Sequence, residues 1–418
     1  MVCLCVFLSP CRGLFFEMKN LLYLIILLCL ASCKQSAPRE DKRIFIPKDL
    51  QEMDLSDSAS MWSYARMDTT ENLVIFWEKG FGNDLSHPDS LEGQPMDVDL
   101  PLLRQQLEHF YTFFRDTLQF TLSDSRCHDT RMMVMLRYSL EGTAYGGSYD
   151  DSIGALWVTP QRLRDPRLNC IAHELGHSFQ CQIGADRGGE WPVYGFYEMT
   201  SQWMLWQVNP DWLTDENYHY EAYKHLTHLA FLHTENIYHS PYVLQYWSEK
   251  HGRDIIARLF KEGRKDEDPV QAYQRLTGIT HEQFCDEMID AAAHIVGLDF
   301  QHAFAETRKY AYQMGDTVPP LTRGEVREAG KTLEAFGFDV FPLNLSATDP
   351  VDIELEGLTT ENDAAWRYGV TQAPDGRRWL VVMATPKVWH PLPVPFDEEG
   401  NLLPTDPLPV YPYRVKIK

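Results

Sequence analysis

The apolar positions of the chain divide it into a mixed helical and strand-forming part and a later part that is mostly strand-like. In the first part, three short apolar runs predict strands, at residues 71–77, 131–138 and 153–158. A glycine-rich stretch, residues 145–149, indicates a connector between the last two of them. Apolar residues at helical spacing predict a helix over residues 101–120.

Two more helices are predicted after the third strand. Asp165 and Pro166 are typical of a helix start, and Gly184 lies near the predicted end. The apolar row of this helix would pack on the sheet and consists of Leu168, Ala172, Leu175 and Phe179. An aromatic-rich run over residues 194–208 predicts the next helix, which ends before an Asn-Pro pair.

The rest of the chain changes from helical to strand-like. Residues 217–300 predict a helical region whose last helix opens with a capping box from Thr280 to Gln283. Prolines and glycines between residues 317 and 330 indicate a domain boundary. Apolar runs beyond it predict a small β-sandwich. The predicted fold class is therefore α+β, with a mixed domain over residues 60–315 and a β-rich domain over residues 330–418.

The first of the two neighbouring helices contains the run His173-Glu174-Leu175-Gly176-His177. Two histidines four residues apart lie one turn apart on the same helix face, so both imidazoles can bind one metal ion. The glutamate between them lies beside the position of a metal-bound water, an arrangement that metal-assisted hydrolysis requires. The alternative to a metal site, for the motif alone, is that the pattern occurs by chance in a chain with 15 His residues.

A third ligand is needed, because a catalytic zinc ion takes three protein ligands and keeps one position open. Glu198 is the predicted third ligand, since it lies on the next helix and a rigid helix fixes its distance from the motif. Glu190 and Asp186 are the competing choices. Both lie in the turn between the two helices, where a ligand is held less rigidly.

An HELGH motif followed by a glutamate on the next helix resembles the gluzincin metallopeptidases, and the resemblance covers about residues 60–300. It implies a zincin-like catalytic domain in which His173, His177 and Glu198 bind Zn2+. It also implies that Glu174 is the general base, which takes a proton from water and passes it to the leaving amine. In its general layout, the chain is also similar to HExxH lipoproteins of Bacteroidetes-type bacteria that carry a β-rich tail.

Catalysis in the gluzincin family also needs a donor for the developing oxyanion and an edge strand for the substrate backbone. The segment 237–242 offers three donors, of which Tyr242 is the first choice, followed by Tyr238 and His239. Residues 154–157 are the predicted edge strand, although Trp157 is also typical of a core residue. A later series of histidines has no acidic ligands in register, so we expect packed or solvated side chains there and no second metal site. The series consists of His219, His225, His228 and His233.

The N-terminus has the pattern of a targeting segment. A basic start after Met18, an apolar run and small residues before Cys33 resemble a bacterial lipoprotein signal, in which Cys33 would be lipidated. An uncleaved membrane anchor is the alternative. Residues 1–33 are therefore predicted to be the signal segment, and residues 34–59 a polar tether. The expected location is the bacterial envelope, most simply the outer membrane, on its periplasmic or surface side.

The composition of the chain argues against some classes of function. The chain has 418 residues, of which 44% are hydrophobic, and a formal net charge of -22. A charge of that sign argues against nucleic acid as a partner, because phosphate binding needs basic patches. The predicted function is a zinc metallopeptidase that hydrolyses proteins or glycoproteins. The alternatives are a non-catalytic lipoprotein that binds a glycan or protein through a vestigial metal site, and a hydrolase of non-peptide amides.

Overall fold

The computed structural model describes residues 41–391 and 408–418. Residues Lys42–Lys418 form one compact unit. The predicted signal segment, its Cys33 and the first residues of the tether lie outside the described residues. The later residues of the predicted tether belong instead to the compact unit, because Arg43 and Ile44 form a strand that pairs at Thr130 and Arg131, and Leu50 and Leu55 are buried. Within the part of the chain that is described, no helix has the length and apolarity needed to cross a membrane.

A six-stranded mixed sheet forms the first part of the fold. Its strands are β1 (Arg43–Ile44), β2 (Met67–Thr69), β3 (Leu73–Trp77), β4 (Thr130–Leu136), β5 (Ala144–Tyr149) and β6 (Ile153–Val158). The order is β2-β3-β4-β6-β5, and β1 pairs with β4. Strands β3, β4 and β6 run parallel to one another, whereas β2 and β5 are antiparallel to their neighbours. The inner strands are buried along nearly their whole length, which explains their continuous apolar runs.

The three predicted strands are confirmed, but the glycine-rich connector is wrong. Residues 144–149 form β5, which pairs with β6 in the register Gly146↔Leu156. The predicted edge strand is corrected by the same pairing. Residues 154–157 belong to β6, which lies between β4 and β5, so the exposed edge beside the motif is β5. Glycine lowers strand propensity, and here the pairing with β6 overrides that preference.

Helices cover one face of the sheet and continue beyond it. They are α1 (Lys48–Gln51), α2 (Leu100–Thr112), α3 (Asn169–Arg187), α4 (Tyr194–Val208), α5 (Trp212–Asp215), α6 (Asn217–Leu226), α7 (Tyr242–His251), α8 (Ile255–Glu262), α9 (Pro269–Thr277), α10 (His281–Gly297) and α11 (Phe304–Thr307). Helix α2 passes into a wider π turn at Phe113–Thr117. The predicted capping box is confirmed, because Thr280 and Gln283 bond each other's backbone N–H at the start of α10.

The motif helix α3 begins later than its sequence predicts. Leu168 has a left-handed backbone with φ of 54°, which separates the preceding turn from the helix. Asp165 caps that turn instead, and its carboxylate accepts from the N–H groups of Arg167 and Asn169. The helix also extends past Gly184 and ends at Gly188, whose φ is 74°. The predicted apolar row is buried, as expected for a helix that packs on the sheet.

The C-terminal region consists of β7 (Val326–Glu328), β8 (Leu333–Glu334), β9 (Phe338–Leu343), β10 (Ile353–Gly357), β11 (Trp366–Gln372), β12 (Arg378–Ala384), β13 (Val410–Tyr411) and β14 (Tyr413–Ile417). Two three-stranded sheets, β10-β14-β7 and β11-β12-β9, contribute buried residues to one apolar cluster. Two layers around one core are what a small sandwich requires. Arg367 on β11 pairs with Glu282 and Asp286 on α10, which ties this region to the helices.

Strand β5 and helix α3 approach each other closely at Gly146. A Cβ atom on Gly146 would lie 1.8 Å from the carbonyl oxygen of Glu174 and 2.8 Å from Cβ of His177. Neither contact can be relieved by a side-chain rotation, since one atom is backbone and the other is a Cβ. The strand can therefore lie against the motif helix only if this position has no side chain.

We expect Gly146→Ala to lower the free energy of unfolding by about 3 kcal/mol, the upper end for overpacking. Gly147→Ala is the matched control, because its Cβ would meet only the ring of Trp157, at 3.3 Å. That variant should lose less than about 1 kcal/mol. Urea denaturation followed by tryptophan fluorescence measures both, and equal losses would contradict the proposed role of the close approach.

Candidate metal centre

Three side chains from α3 and α4 converge on one point. His173 and His177 lie on α3, and Glu198 lies in the second turn of α4. Nε2 of His173 and Nε2 of His177 are 3.1 Å apart, and each is 3.1 Å from Oε2 of Glu198. These residues form a cluster that could hold a metal ion. The structure thus brings together the three ligands that the sequence predicts.

The size of this triangle fits one metal ion. When metal–nitrogen distances are about 2.0–2.1 Å and the geometry is tetrahedral, two ligand atoms lie about 3.3 Å apart. Neither competing ligand belongs to the triangle. Asp186 is engaged elsewhere, since its carboxylate accepts from Gln182 and from the backbone of Arg126. Glu190 lines the same cavity but stands outside the group of three.

Two glutamines orient the histidines. Oε1 of Gln202 lies 2.7 Å from Nδ1 of His173, and Oε1 of Gln180 lies 2.9 Å from Nδ1 of His177. An amide oxygen only accepts, so each Nδ1 carries the proton and each Nε2 lone pair points into the triangle. Sequence analysis missed both glutamines. Their spacing could have indicated them, since Gln180 follows His177 by three residues and Gln202 follows Glu198 by four, each on the same helix.

Gln202 is itself held on its other side. Its Nε2 lies 3.1 Å from Nε2 of His219 and donates to the carbonyl oxygen of Tyr238 at 3.1 Å. Nδ1 of His219 lies 2.7 Å from Nδ1 of His239. Burial and the neighbouring histidines lower the pKa of His219 to about 3, so this ring stays neutral and can accept. His219, the first member of the histidine series, is thus packed and can accept a hydrogen bond from Gln202.

Glu174 lies next to the triangle, against the edge strand. Its Oε2 accepts from the backbone N–H of Gly146 at 2.8 Å. The bond fixes the carboxylate through one oxygen, and among the described residues nothing bonds to Oε1. A glutamate that is held in this way can take a proton from a water molecule in the cavity.

The cavity above these residues has a volume of about 690 Å³. Besides the four motif and ligand residues, its lining consists of Ala144, Tyr145, Gly146, Cys181, Glu190, Trp191, Pro192, Tyr197 and Tyr238. Three carboxylates face it, and none of the described lining residues is Lys or Arg. The cavity is therefore acidic and large enough for several residues of a peptide or a ligand of comparable size.

The electrostatics of the site favour positive charge. Burial would raise the pKa of Glu198, but hydrogen bonds to His173 and His177 outweigh burial and hold that pKa far below its usual value. Burial would likewise lower the pKa of His177, yet Glu198 and Glu174 raise it above its ordinary value. Positive charge among these side chains is therefore stabilised by two carboxylates, as metal binding requires.

The expectation for Tyr242 needs correction. Its side chain is fully buried among the rings of Trp206, Trp212 and Tyr223, and its hydroxyl has no hydrogen-bond partner among the described residues. Tyr242 is the first residue of α7 and faces the helical core, not the cavity. Tyr238, the second choice, lines the cavity, and its ring centre lies 6.2 Å from that of His173. Burial and the carboxylate of Glu198 raise the pKa of Tyr238, which keeps the hydroxyl protonated.

Comparison with known families adds one assignment. A family model matches residues 36–378, a range that contains all the residues of the candidate centre. The chain belongs to the DUF6055 family. That family is described as one of unknown function, so membership does not name an activity. Comparison with curated proteins and with solved structures found no match.

We expect Gln202→Ala to weaken metal binding about 10- to 100-fold, because His173 loses the acceptor that fixes its tautomer. Gln207→Ala is the matched control, since Gln207 lies on the same helix but bonds to Gln245. Competition with a chromophoric chelator, with zinc as the probe, measures both affinities. An equal loss in the two variants would show that general packing of α4, and not the contact with His173, sets the affinity.

Proposed function

We propose that this protein is a zinc-dependent metallopeptidase of the gluzincin type. The observation that carries the proposal is the convergence of His173, His177 and Glu198 at mutual distances of 3.1 Å, with Glu174 on the same helix. Two imidazoles and one carboxylate form the ligand set of one class of catalytic zinc sites. A purely structural zinc site would take four protein ligands, whereas the described residues supply three.

The surrounding fold supports the same proposal. The motif helix lies under a mixed sheet whose antiparallel edge strand, β5, borders the cavity. A second helix supplies the glutamate ligand, and a helical region follows. We infer a zincin-like catalytic domain from this arrangement. The free edge of β5 can pair with an extended peptide, since an edge strand exposes unpaired backbone groups.

Each residue of the site can have a separate role in peptide hydrolysis. Bound zinc would supply Lewis acidity, which polarises a carbonyl group and acidifies water. Glu174, held by the N–H of Gly146, would take the proton of the attacking water and deliver it to the leaving amine. Tyr238 would donate its hydroxyl proton in a hydrogen bond to the oxyanion. Gln180 and Gln202 would hold the histidine rings in place while the reaction proceeds.

The proposed location is the bacterial envelope, with a lipid anchor on Cys33. The sequence before Cys33 supports the anchor, and the residues between Cys33 and β1 would then tether the catalytic unit. Mass spectrometry of the N-terminal peptide from membrane fractions tests this proposal. An unmodified Cys33 would contradict the anchor without affecting the proposed activity.

We expect the protein to bind one zinc ion per chain and to hydrolyse mixed protein substrates, and Glu174→Gln to lower kcat at least about 100-fold while zinc is retained. Glu221→Gln, which changes an exposed glutamate on α6, is the control and should keep full activity. Metal analysis and peptide release measure the two properties. Zinc without hydrolysis in the parent would favour the binding lipoprotein, and a parent without zinc would contradict the site itself.

We expect Tyr238→Phe to lower kcat about 100-fold with little change in KM, because one oxyanion donor is lost. Tyr242→Phe should leave kcat unchanged. It should not lower stability either, since it removes a buried hydroxyl that has no partner. Steady-state kinetics and thermal denaturation of both variants test the assignment. A fall in kcat for Tyr242→Phe but not for Tyr238→Phe would support Tyr242 as the oxyanion donor instead.

A further inference from the structure

We propose that Glu190 makes the enzyme select substrates that carry a cationic group close to the scissile bond. The inference rests on the proposed function, because it concerns what the same cavity accepts. Glu190 lies in the loop between α3 and α4 and lines the cavity together with the three ligands and Glu174. It is exposed, so a substrate in the cavity can reach its carboxylate.

The loop places Glu190 along the axis of the motif helix. Cys181 follows His177 by four residues and lies one turn further along α3, about 6 Å along the helix axis. Burial and the nearby carboxylate of Glu190 raise the pKa of the Cys181 thiol, so the two side chains lie close together. Cγ of Glu190 packs over Gly184, where a Cβ atom would be only 2.8 Å away. Glu190 is therefore positioned one to two turns beyond the ligands, on the same side of the helix.

Glu190 is the carboxylate of the cavity whose charge nothing else offsets. Glu198 is bonded to both histidines, and a divalent ion would offset the charges of Glu198 and Glu174 together. Glu190 forms no ion pair within 4.0 Å with any described residue. A Cβ atom on the neighbouring Gly189 would lie 3.5 Å from Nζ of Lys265, but Lys265 makes no such pair with Glu190. The cavity thus keeps one unpaired negative charge, and a concave surface lined by one sign of charge attracts a cation.

The distance fits a group on the substrate chain. An extended peptide advances about 3.3 Å per residue, so two or three residues span the one to two helical turns between the ligands and Glu190. An ammonium or guanidinium group at that place would form a charge-assisted hydrogen bond with the carboxylate. Two sources can supply it: the side chain of Lys or Arg, or the free α-amino group of a peptide. The first would indicate an endopeptidase that prefers basic residues, and the second an aminopeptidase.

The test compares three peptide sets of one core sequence. The first set is acetylated and amidated and carries Lys or Arg at each position in turn, and the second has Gln at the same positions. The third has Gln throughout and a free amino terminus. kcat/KM is measured for the parent and for Glu190→Gln, with Glu52→Gln as the control because Glu52 is exposed outside the cavity. Peptide affinity is measured by calorimetry in Glu174→Ala, with and without Glu190→Gln, so that binding is read without turnover.

We expect the parent to prefer one cationic set over its neutral counterpart at least about fivefold, and Glu190→Gln to remove that preference in both kcat/KM and affinity. Loss of preference in the Lys and Arg set identifies the side chain as the cation, and loss in the third set identifies the amino terminus. An unchanged preference in Glu190→Gln, or an equal change in Glu52→Gln, overturns the inference while the peptidase stands. A parent that cleaves no peptide overturns the proposed function and the inference with it.

Discussion

The packing of α3 between a strand and a second helix, with glycine at both contacts, determines the geometry of the candidate centre. On one side Gly146 lets β5 lie against the backbone of Glu174. On the other side a Cβ on Gly176, within the motif itself, would lie 2.8 Å from Oγ of Ser201 on α4. Cα of Ser201 would also lie only 3.4 Å from that Cβ, so the lack of a side chain at the fourth residue of the motif helps α4 lie close enough for Glu198 to reach the histidines. The two close contacts position the base and the third ligand at once.

Polar side chains then fix the orientation of the two histidine rings, which packing alone leaves free. An imidazole ring can rotate and can exchange its tautomer, and either change would turn Nε2 away from the triangle. Gln180 and Gln202 remove both freedoms, because their amide oxygens accept only from a protonated Nδ1. Each glutamine is bonded in turn, Gln180 to the carbonyl of Tyr197 and Gln202 to Tyr238 and His219. These protein contacts by themselves specify the arrangement, which would lower the cost of ordering the ligands around the proposed metal ion.

The sequence contained enough to predict the ligands and most strands, but not the contacts that orient them. His173 and His177 are related by helical spacing, and Glu198 lies on a helix whose bounds were predicted correctly. Strand β5 was missed because its glycines lower strand propensity, while its pairing with β6 is a long-range effect. Tyr242 was ranked above Tyr238 wrongly, because the direction in which each ring faces depends on where α7 begins. The spacing of Gln202 from Glu198 places it near the site but does not identify its partners, since these come from α3, α6 and the loop before α7.

Gln202 connects two parts of the site that would otherwise be independent. Its oxygen orients His173, while its Nε2 holds the carbonyl of Tyr238, the residue proposed to stabilise the oxyanion. The loop that carries Tyr238 also carries His239, which contacts His219, so the same network holds the loop at two points. A shift of that loop would therefore disturb the orientation of His173 as well as the position of the hydroxyl. In the proposed enzyme, metal binding and oxyanion stabilisation would therefore be coupled through a single amide, and their energies should not be additive.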